Sequence, residues 1–330
     1  MRETVVQEKE AGQRLFKFLE KYMSEAPKSF LYKMLRKKNI TLNGKKADGS
    51  ERLEKGDRIR CFLADETIEK FQKKDDGSYP VTNLDVLYED EDVIFLNKPA
   101  GMLSQKAKPD DVSLVEYLTG YLLAKGELTR ENLATFKPGI CNRLDRNTSG
   151  IVIGGKTVRG LAAMSALLRE RDLDKYYFCI VKGHMAKGQV LDGYLKKDEG
   201  TNRVEILSLP APGADPIRTA YEPLRSNGFC TLVQVELITG KSHQIRAHLA
   251  SLGHPVLGDA KYGDAKTNRR LKEKYRIQRQ MLHACRLILP KDLPECPKAA
   301  GRMIVAPMPP DMVRVIKGED LICRPGEAEG

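Results

Sequence analysis

An aspartate in a polar, cationic loop is the residue of this chain best equipped for chemistry. The run Asn142-Arg143-Leu144-Asp145-Arg146-Asn147-Thr148-Ser149-Gly150 sets Asp145 between two arginines, ahead of small polar side chains and a glycine. The apolar stretch Ile151-Val152-Ile153 follows directly. Cations beside a carboxylate favour its charged form. A tight loop at the mouth of a strand would present that charged acid to a ligand.

A second segment offers a partner for it: Thr239-Gly240-Lys241-Ser242-His243-Gln244-Ile245-Arg246-Ala247-His248-Leu249. Ser242 is a suitable N-cap for a helix over about 242–252. Ile245, Leu249 and Leu252 form its apolar stripe, and Gly253 and Pro255 end it. Arg246 falls on the flank of that stripe. A guanidinium buried there needs an acid, and Asp145 is the natural candidate. A surface arginine on an ordinary helix fits the same residues.

Two other patterns carry less. Gly150 to Thr157 matches GxxxxGK[ST]. However, a phosphate loop needs an apolar strand before its first glycine and an open loop after it. Here polar residues precede the glycine, and Ile-Val-Ile between the glycines reads as a strand. His243, His248 and His254 have no zincin spacing and no cysteine cluster beside them, so no metal site is expected.

The elements that must position these residues divide into two parts. In Gly12–Met23, Leu15, Phe16, Phe18, Leu19, Tyr22 and Met23 recur at helical spacing. Ser29 is placed to cap a second short helix with Phe30, Leu31, Met34 and Leu35 on its apolar side and Lys33, Arg36, Lys37 and Lys38 opposite. Asn43-Gly44 predicts a hairpin turn, and Ile59, Cys61 and Leu63 alternate as in a strand. Residues 64–82 lack a sustained apolar period and read as a linker, giving expected units of 1–64, 65–82 (linker) and 83–330. The last unit carries many strand-like runs, among them 93–96, 151–153, 176–181, 190–195, 203–207, 229–238, 281–289 and 303–306. With helices expected only at about 157–171 and 242–252, this is an α+β fold with a largely antiparallel sheet.

Charge points to the partner. The 330 residues carry a formal net charge of +11. Residues 12–62 hold 14 Lys/Arg against 6 Asp/Glu, and 265–280 hold 7 against one. Charge gathered in patches favours a polyanion, most simply nucleic acid. The seven cysteines form no CxxC pair and read as buried thiols of a reducing compartment. No apolar run reaches membrane-spanning length, and the charged N-terminus is unlike a signal peptide. These features together suggest the cytoplasm.

Two resemblances extend this reading. The N-terminal stretch resembles an S4 RNA-binding domain through Arg14-Leu15-x-Lys17-Phe18-Leu19, the basic second helix, Leu42-Asn43-Gly44-Lys45 and Lys55-Gly56-Asp57-Arg58-Ile59. The likeness implies that Arg14, Lys17, Lys33, Arg36, Lys37, Lys38 and Lys45 grip structured RNA. Residues 83–315 resemble the RluA-type RNA pseudouridine synthases. The matching pieces, in order, run from Tyr88 through Asn97-Lys98-Pro99-Ala-Gly101, then Arg143-Leu144-Asp145-x-x-Thr148-Ser149-Gly150, then Lys175-Tyr176-Tyr177 to Gly183. Thr239–His248, Gly258-Asp259-x-x-Tyr262-Gly263 and Arg279-Gln280-x-Leu282-His283-Ala284 complete the set. Many members have His before Arg-Leu-Asp, where this chain has Asn142.

The second resemblance implies isomerisation of uridine to pseudouridine in RNA, without cofactor or metal. Ribosomal RNA would be the favoured substrate and transfer RNA the other candidate; oligomeric state is left open. Asp145 would be the essential acid, Arg246 its counter-ion and Tyr177 the active-site tyrosine, stacking on the base and assisting proton removal from C5. Leu144 and Ile245 would wall the pocket. Arg143 would fill the space left by an extruded nucleotide, with Lys241 and His243 also meeting RNA. The rival is a non-catalytic RNA-binding or ribosome-assembly factor on the same scaffold, for which Asn142 is the hint.

Overall fold

A computed structural model describes residues 1–73, 77–198, 200–201 and 203–322. The N-terminal part runs β1 (Arg2–Val5), α1 (Leu15–Tyr22), α2 (Lys28–Arg36), β2 (Ile40–Leu42), β3 (Lys45–Lys46), β4 (Arg58–Cys61) and α3 (Asp65–Phe71). Its antiparallel sheet has the order β1-β4-β2-β3. The apolar faces of α1 and α2 cover the sheet, with Leu15, Phe18, Leu19, Leu31, Leu35, Ile40 and Ile59 buried in one cluster. Asn43 and Gly44 both take positive φ, 51° and 74°, as a two-residue hairpin turn of this hand requires. Ser29 does not cap α2: the helix already begins at Lys28, with Pro27 before it.

The expected linker needs correction at its start. Residues 65–71 form α3, and its Ile68 is fully buried in the N-terminal core. One buried apolar residue in a seven-residue helix leaves no period to read. Residues 74–76 of that stretch lie outside the described residues, and Tyr79 already packs on the larger core.

The larger part is built on one long sheet. Its elements are β5 (Val86–Glu89), β6 (Val93–Lys98), α4 (Leu114–Ala124), β7 (Gly139–Ile140), β8 (Ser149–Gly155), α5 (Val158–Glu170), β9 (Asp174–Lys182) and β10 (Gln189–Asp198). They continue with β11 (Arg203–Leu207), β12 (Ala214–Ser226), β13 (Cys230–Glu236), α6 (Gln244–Ser251), α7 (Ala265–Tyr275), β14 (Leu282–Ile288), β15 (Met303–Val305) and α8 (Pro310–Gly318). The strand order is β11-β10-β12-β13-β9-β14-β8-β6-β5, with β15 beside β14 and β7 beside β8. Among the described residues β8 and β14 form the parallel pair and the other neighbours are antiparallel. The largely antiparallel α+β architecture expected from the sequence is therefore the one observed.

Alternate residues of the central strands feed two cores. Ile94, Leu96, Val152, Cys179, Val181, Val233 and Val235 lie in the cluster shared with α4 and α6. Val93, Phe95, Ile151 and Ile153 face the other way, against Ala163, Met164 and Leu167 of α5. Because β8 is covered on both faces, its sequence is a continuous apolar run rather than an alternation. The six cysteines within the described residues are free thiols; Cys323 lies outside them. Among the described residues, no helix is long and apolar enough to cross a membrane.

Candidate active site

The Asp145 loop is fastened at both ends by its neighbours in the fold. Ser104 Oγ donates to the Leu144 carbonyl at 2.8 Å and accepts from the Leu144 N–H at 3.1 Å. The Gly101 N–H donates to the Arg146 carbonyl at 2.8 Å. Lys98 is fully buried, and its ammonium donates to the carbonyls of Pro99, Met102 and Arg146. Burial draws Lys98 down to about 7, with Asp145 pulling the other way. On the far side, Gln280 Nε2 donates to Thr148 Oγ1, and Ser149 shares a hydrogen bond with His283. Gly150 has φ of 113°, and a Cβ there would overlap the Ala284 carbonyl. A glycine is required for β8 to come this close to β14.

Arg246, on α6, ties the loop to a third segment. Its Nη1 donates to Asp145 Oδ2 at 2.6 Å. Its Nε and Nη2 donate to Asp259 Oδ2 and Oδ1 at 2.7 and 2.8 Å. Side-chain exposure is graded across the three: 0% for Asp259, 8% for Arg246 and 27% for Asp145. Asp259 thus neutralises the buried end of the guanidinium, and Asp145 meets the end nearer solvent. Burial opposes both charges of the inner pair, yet their mutual hydrogen bonds hold Arg246 above its ordinary range and Asp259 below its own. Backbone N–H groups of Lys261 and Tyr262 also donate to Asp259 Oδ1.

The remaining wall is apolar and aromatic. Leu144, Tyr177 and Ile245 belong to one buried cluster. Strand register places Tyr177 opposite Val235 on one side and Ala284 on the other, and Ala284 opposite Gly150. Burial, reinforced by the charge of Asp145, pushes the Tyr177 phenol up, so its neutral form is favoured. The Nε2 of His243, a residue expected to meet RNA, lies 3.9 Å from Asp145 Oδ1, and its Nδ1 pairs with the Tyr262 hydroxyl at 2.9 Å. Burial keeps His243 below its usual range despite the nearby carboxylate. It also takes a left-handed backbone (φ 57°) as the residue before α6, so Ser242 is not the cap.

A match to "RNA pseudouridylate synthase" covers residues 92–251, which include Asp145 and Arg246. "Ribosomal large subunit pseudouridine synthase C" of Vibrio cholerae is 31% identical over 291 residues, 86% of each chain. The protein of that name from Escherichia coli is 30% identical over 291 residues, 84% of this chain and 85% of that one. The chain belongs to the RluA-type RNA pseudouridine synthase family. Among solved structures, human RNA pseudouridylate synthase domain containing 4 shares the fold with a TM-score of 0.57 at 22% identity, covering 71% of this chain and 92% of that one. Human RNA pseudouridylate synthase domain containing 1 gives 0.50 at 21%, covering 74% and 97%.

In this synthase, the expected residues Leu144, Asp145, Tyr177, Ile245 and Arg246 converge, and His243 joins them. Arg143 is exposed beside the loop, and Lys241 is ion-paired with Asp215 at 2.9 Å. Arg14, Lys17, Lys33, Arg36, Lys37, Lys38 and Lys45 belong to the N-terminal part, where Lys17 pairs with Glu20 at 2.7 Å. Sequence reasoning gave no role to Asp259, Lys98 or Tyr262. The first stands in a family-like motif, but a buried arginine already facing one acid gives no hint of a second.

Asn142 acquires a structural account. Its Nδ2 donates to the Ile151 carbonyl at 3.2 Å, and its Oδ1 accepts from the Ile153 N–H at 2.8 Å. The amide thus fastens the loop's approach to β8. The GxxxxGK[ST] residues are likewise absorbed by the fold. Gly150–Gly155 are strand, Lys156 pairs with Glu89 and Glu127, and Thr157 caps α5. Among the described residues no cluster of His, Cys, Asp or Glu is arranged to hold a metal ion.

Proposed function

We propose that this synthase isomerises uridines in large-subunit ribosomal RNA, with Asp145 as the reactive carboxylate. The observation that carries the assignment is Arg246 bridging Asp145 and the fully buried Asp259. An arginine already neutralised from behind orients Asp145 through one hydrogen bond. One Asp145 oxygen accepts that bond; the other faces the half-buried side with His243. In the reaction the N1–C1′ bond breaks, the base turns, and C5 bonds to C1′. The proton lost from C5 is balanced by one gained at N1. Tyr177 would offer a ring face to the base and a neutral phenol. Leu144 and Ile245 would exclude water, and Arg143 would enter the stack vacated by the flipped nucleotide, whose extrusion costs about a few kcal/mol.

The N-terminal part is read as an S4-type RNA-binding module. Support comes from exposed Lys33, Arg36, Lys37, Lys38 and Lys45, which pair with no carboxylate among the described residues. Ribosomal RNA as substrate rests on the names of the similar bacterial proteins. A cytoplasmic site fits the free thiols. The deciding experiment maps pseudouridine across RNA from cells with and without the gene, complemented by wild type or Asp145→Asn. Loss of large-subunit rRNA sites restored only by wild type is expected. Restoration by Asp145→Asn would refute the catalytic assignment.

A further inference from the structure

The N-terminal part contains a feature that cationic contact with RNA does not use. Tyr32, on α2, is stacked on Phe16 of α1 with ring centres 4.1 Å apart and an interplanar angle of 16°. Its side of α2 borders a groove of about 490 Å³ whose other lining residues include Lys33, Leu35, Arg36, Lys46, Ala47 and Asp48. Tyr32 itself is 52% exposed, whereas Leu35 and Ala47 are buried.

The groove is built rather than incidental. Gly49 has φ of 97°, and a Cβ there would stand 3.0 Å from Phe16 Cβ and 3.2 Å from Leu35 Cδ1. This glycine lets the turn after β3 close against the helix pair. The Asp48 carboxylate at one end is held by the Ser50 N–H and hydroxyl. Lys33, Arg36 and Lys46 form the rim, and none of them pairs with a carboxylate among the described residues.

Phosphate binding alone would need the three cations and no aromatic. An exposed tyrosine backed by a second ring is ordered before any ligand arrives, so little freedom is lost on stacking. Flat aromatic surface among cations is the chemistry that takes unpaired bases, whose faces stack while neighbouring phosphates meet Lys and Arg. We propose that this groove receives one unpaired nucleobase of the RNA, stacked on Tyr32, with the adjoining phosphates on Lys33, Arg36 and Lys46. The inference rests on the reading of the N-terminal part as RNA-binding. It adds that the module reads a break in pairing, not duplex alone.

The test uses the full-length protein and two synthetic RNA stems, one fully paired and one identical but for a single bulged nucleotide. Tyr32→Ala should weaken binding of the bulged stem about 5- to 150-fold, the range set by removing one base–aromatic stack. Its binding of the paired stem should stay within about twofold of wild type. Tyr32→Leu, which still covers Phe16 but has no aromatic face, should behave like Tyr32→Ala, and Tyr32→Phe like wild type. Equal weakening on both stems, or no weakening on either, would overturn the base pocket. A Lys33→Glu, Arg36→Glu double variant separates the underlying reading. If it binds both stems as tightly as wild type, the module does not hold RNA and the pocket falls with it. If it weakens both while Tyr32→Ala weakens neither, only the pocket falls.

Discussion

Arg246 and Asp145 stand 101 residues apart in the chain and meet through one 2.6 Å hydrogen bond from Nη1 to Oδ2. The rest of the guanidinium is committed to Asp259. This division of labour needs a planar fork, which lysine lacks. Arg246→Lys keeps the charge but cannot serve both carboxylates. Single-turnover pseudouridine formation should fall about 100-fold, the scale of an ångström-level misplacement, with RNA affinity within a few-fold of wild type. A lysine variant turning over normally would remove the orienting role. Asp145→Asn should bind RNA and form no pseudouridine.

Asp259 should matter to stability as well as to rate. Removing one partner of a buried ion pair strands the other charge, at a cost of about 3–5 kcal/mol. Asp259→Asn should therefore lower the urea midpoint clearly at pH 7. Arg246 holds Asp259 below its ordinary value against the opposing effect of burial. Its stabilisation is thus fully present above the usual carboxylate range, about pH 4, and is lost as pH falls through the folded value. The gap between wild type and Asp259→Asn should narrow below about pH 4. A gap that stayed constant from pH 7 to pH 3 would mean the ion pair is not its source.

Elements of this fold differ in how plainly their sequences declare them. The helix of Arg246 and the strand after Asp145 were legible because each is bounded by turn residues and carries a clear period or run. Helix α4 was not, since Leu114-Val115-Glu116-Tyr117-Leu118 and the residues after them are apolar on most sides and show no polar face. Helix α7 was missed for the opposite reason: its many cations mask the spacing of Thr267, Leu271 and Tyr275, which are its buried residues. The Asp145–Arg246 pair was inferable from charge logic and resemblance. Asp259 and Lys98 were not, because their partners are a guanidinium already assigned and backbone carbonyls, which leave no mark in a sequence.

Asn142 offers a separate test of whether its amide serves the fold or the RNA. Its amide spans the Ile151 carbonyl and the Ile153 N–H. Asn142→Ala leaves those backbone groups without this partner, at about 1–3 kcal/mol. Thermal melting should show that loss, with the rate of pseudouridine formation below the melting range close to wild type. A rate collapse without destabilisation would instead make Asn142 part of the RNA contact.

The N-terminal cations should reveal themselves through salt. For every phosphate no longer neutralised, the slope of log affinity against log salt shrinks by about 0.7–0.9. Lys37→Gln with Lys38→Gln should flatten that slope by about 1.5, and affinity should fall more than the single-turnover rate at saturating enzyme. An unchanged slope would place the RNA on another face.

Asn268 tests whether α7 braces the active centre. Its Oδ1 accepts from the Gly258 N–H at 2.8 Å, and its Nδ2 donates to the Asp259 carbonyl at 2.9 Å. The Gly263 N–H reaches the same carbonyl at 3.0 Å. Asn268 therefore fixes the turn that carries Asp259, which fixes Arg246, which aims Asp145. Asn268→Asp keeps the size and the acceptor but sets an oxygen against the Asp259 carbonyl. The turn must shift, and the fork with it. We expect kcat to fall about 10-fold or more, as for other displaced positioning groups, with KM for RNA nearly unchanged. A purely structural role would lower melting temperature and leave kcat intact below it. Equal loss in kcat and RNA affinity would assign Asn268 to RNA contact rather than to the chain that ends at Asp145.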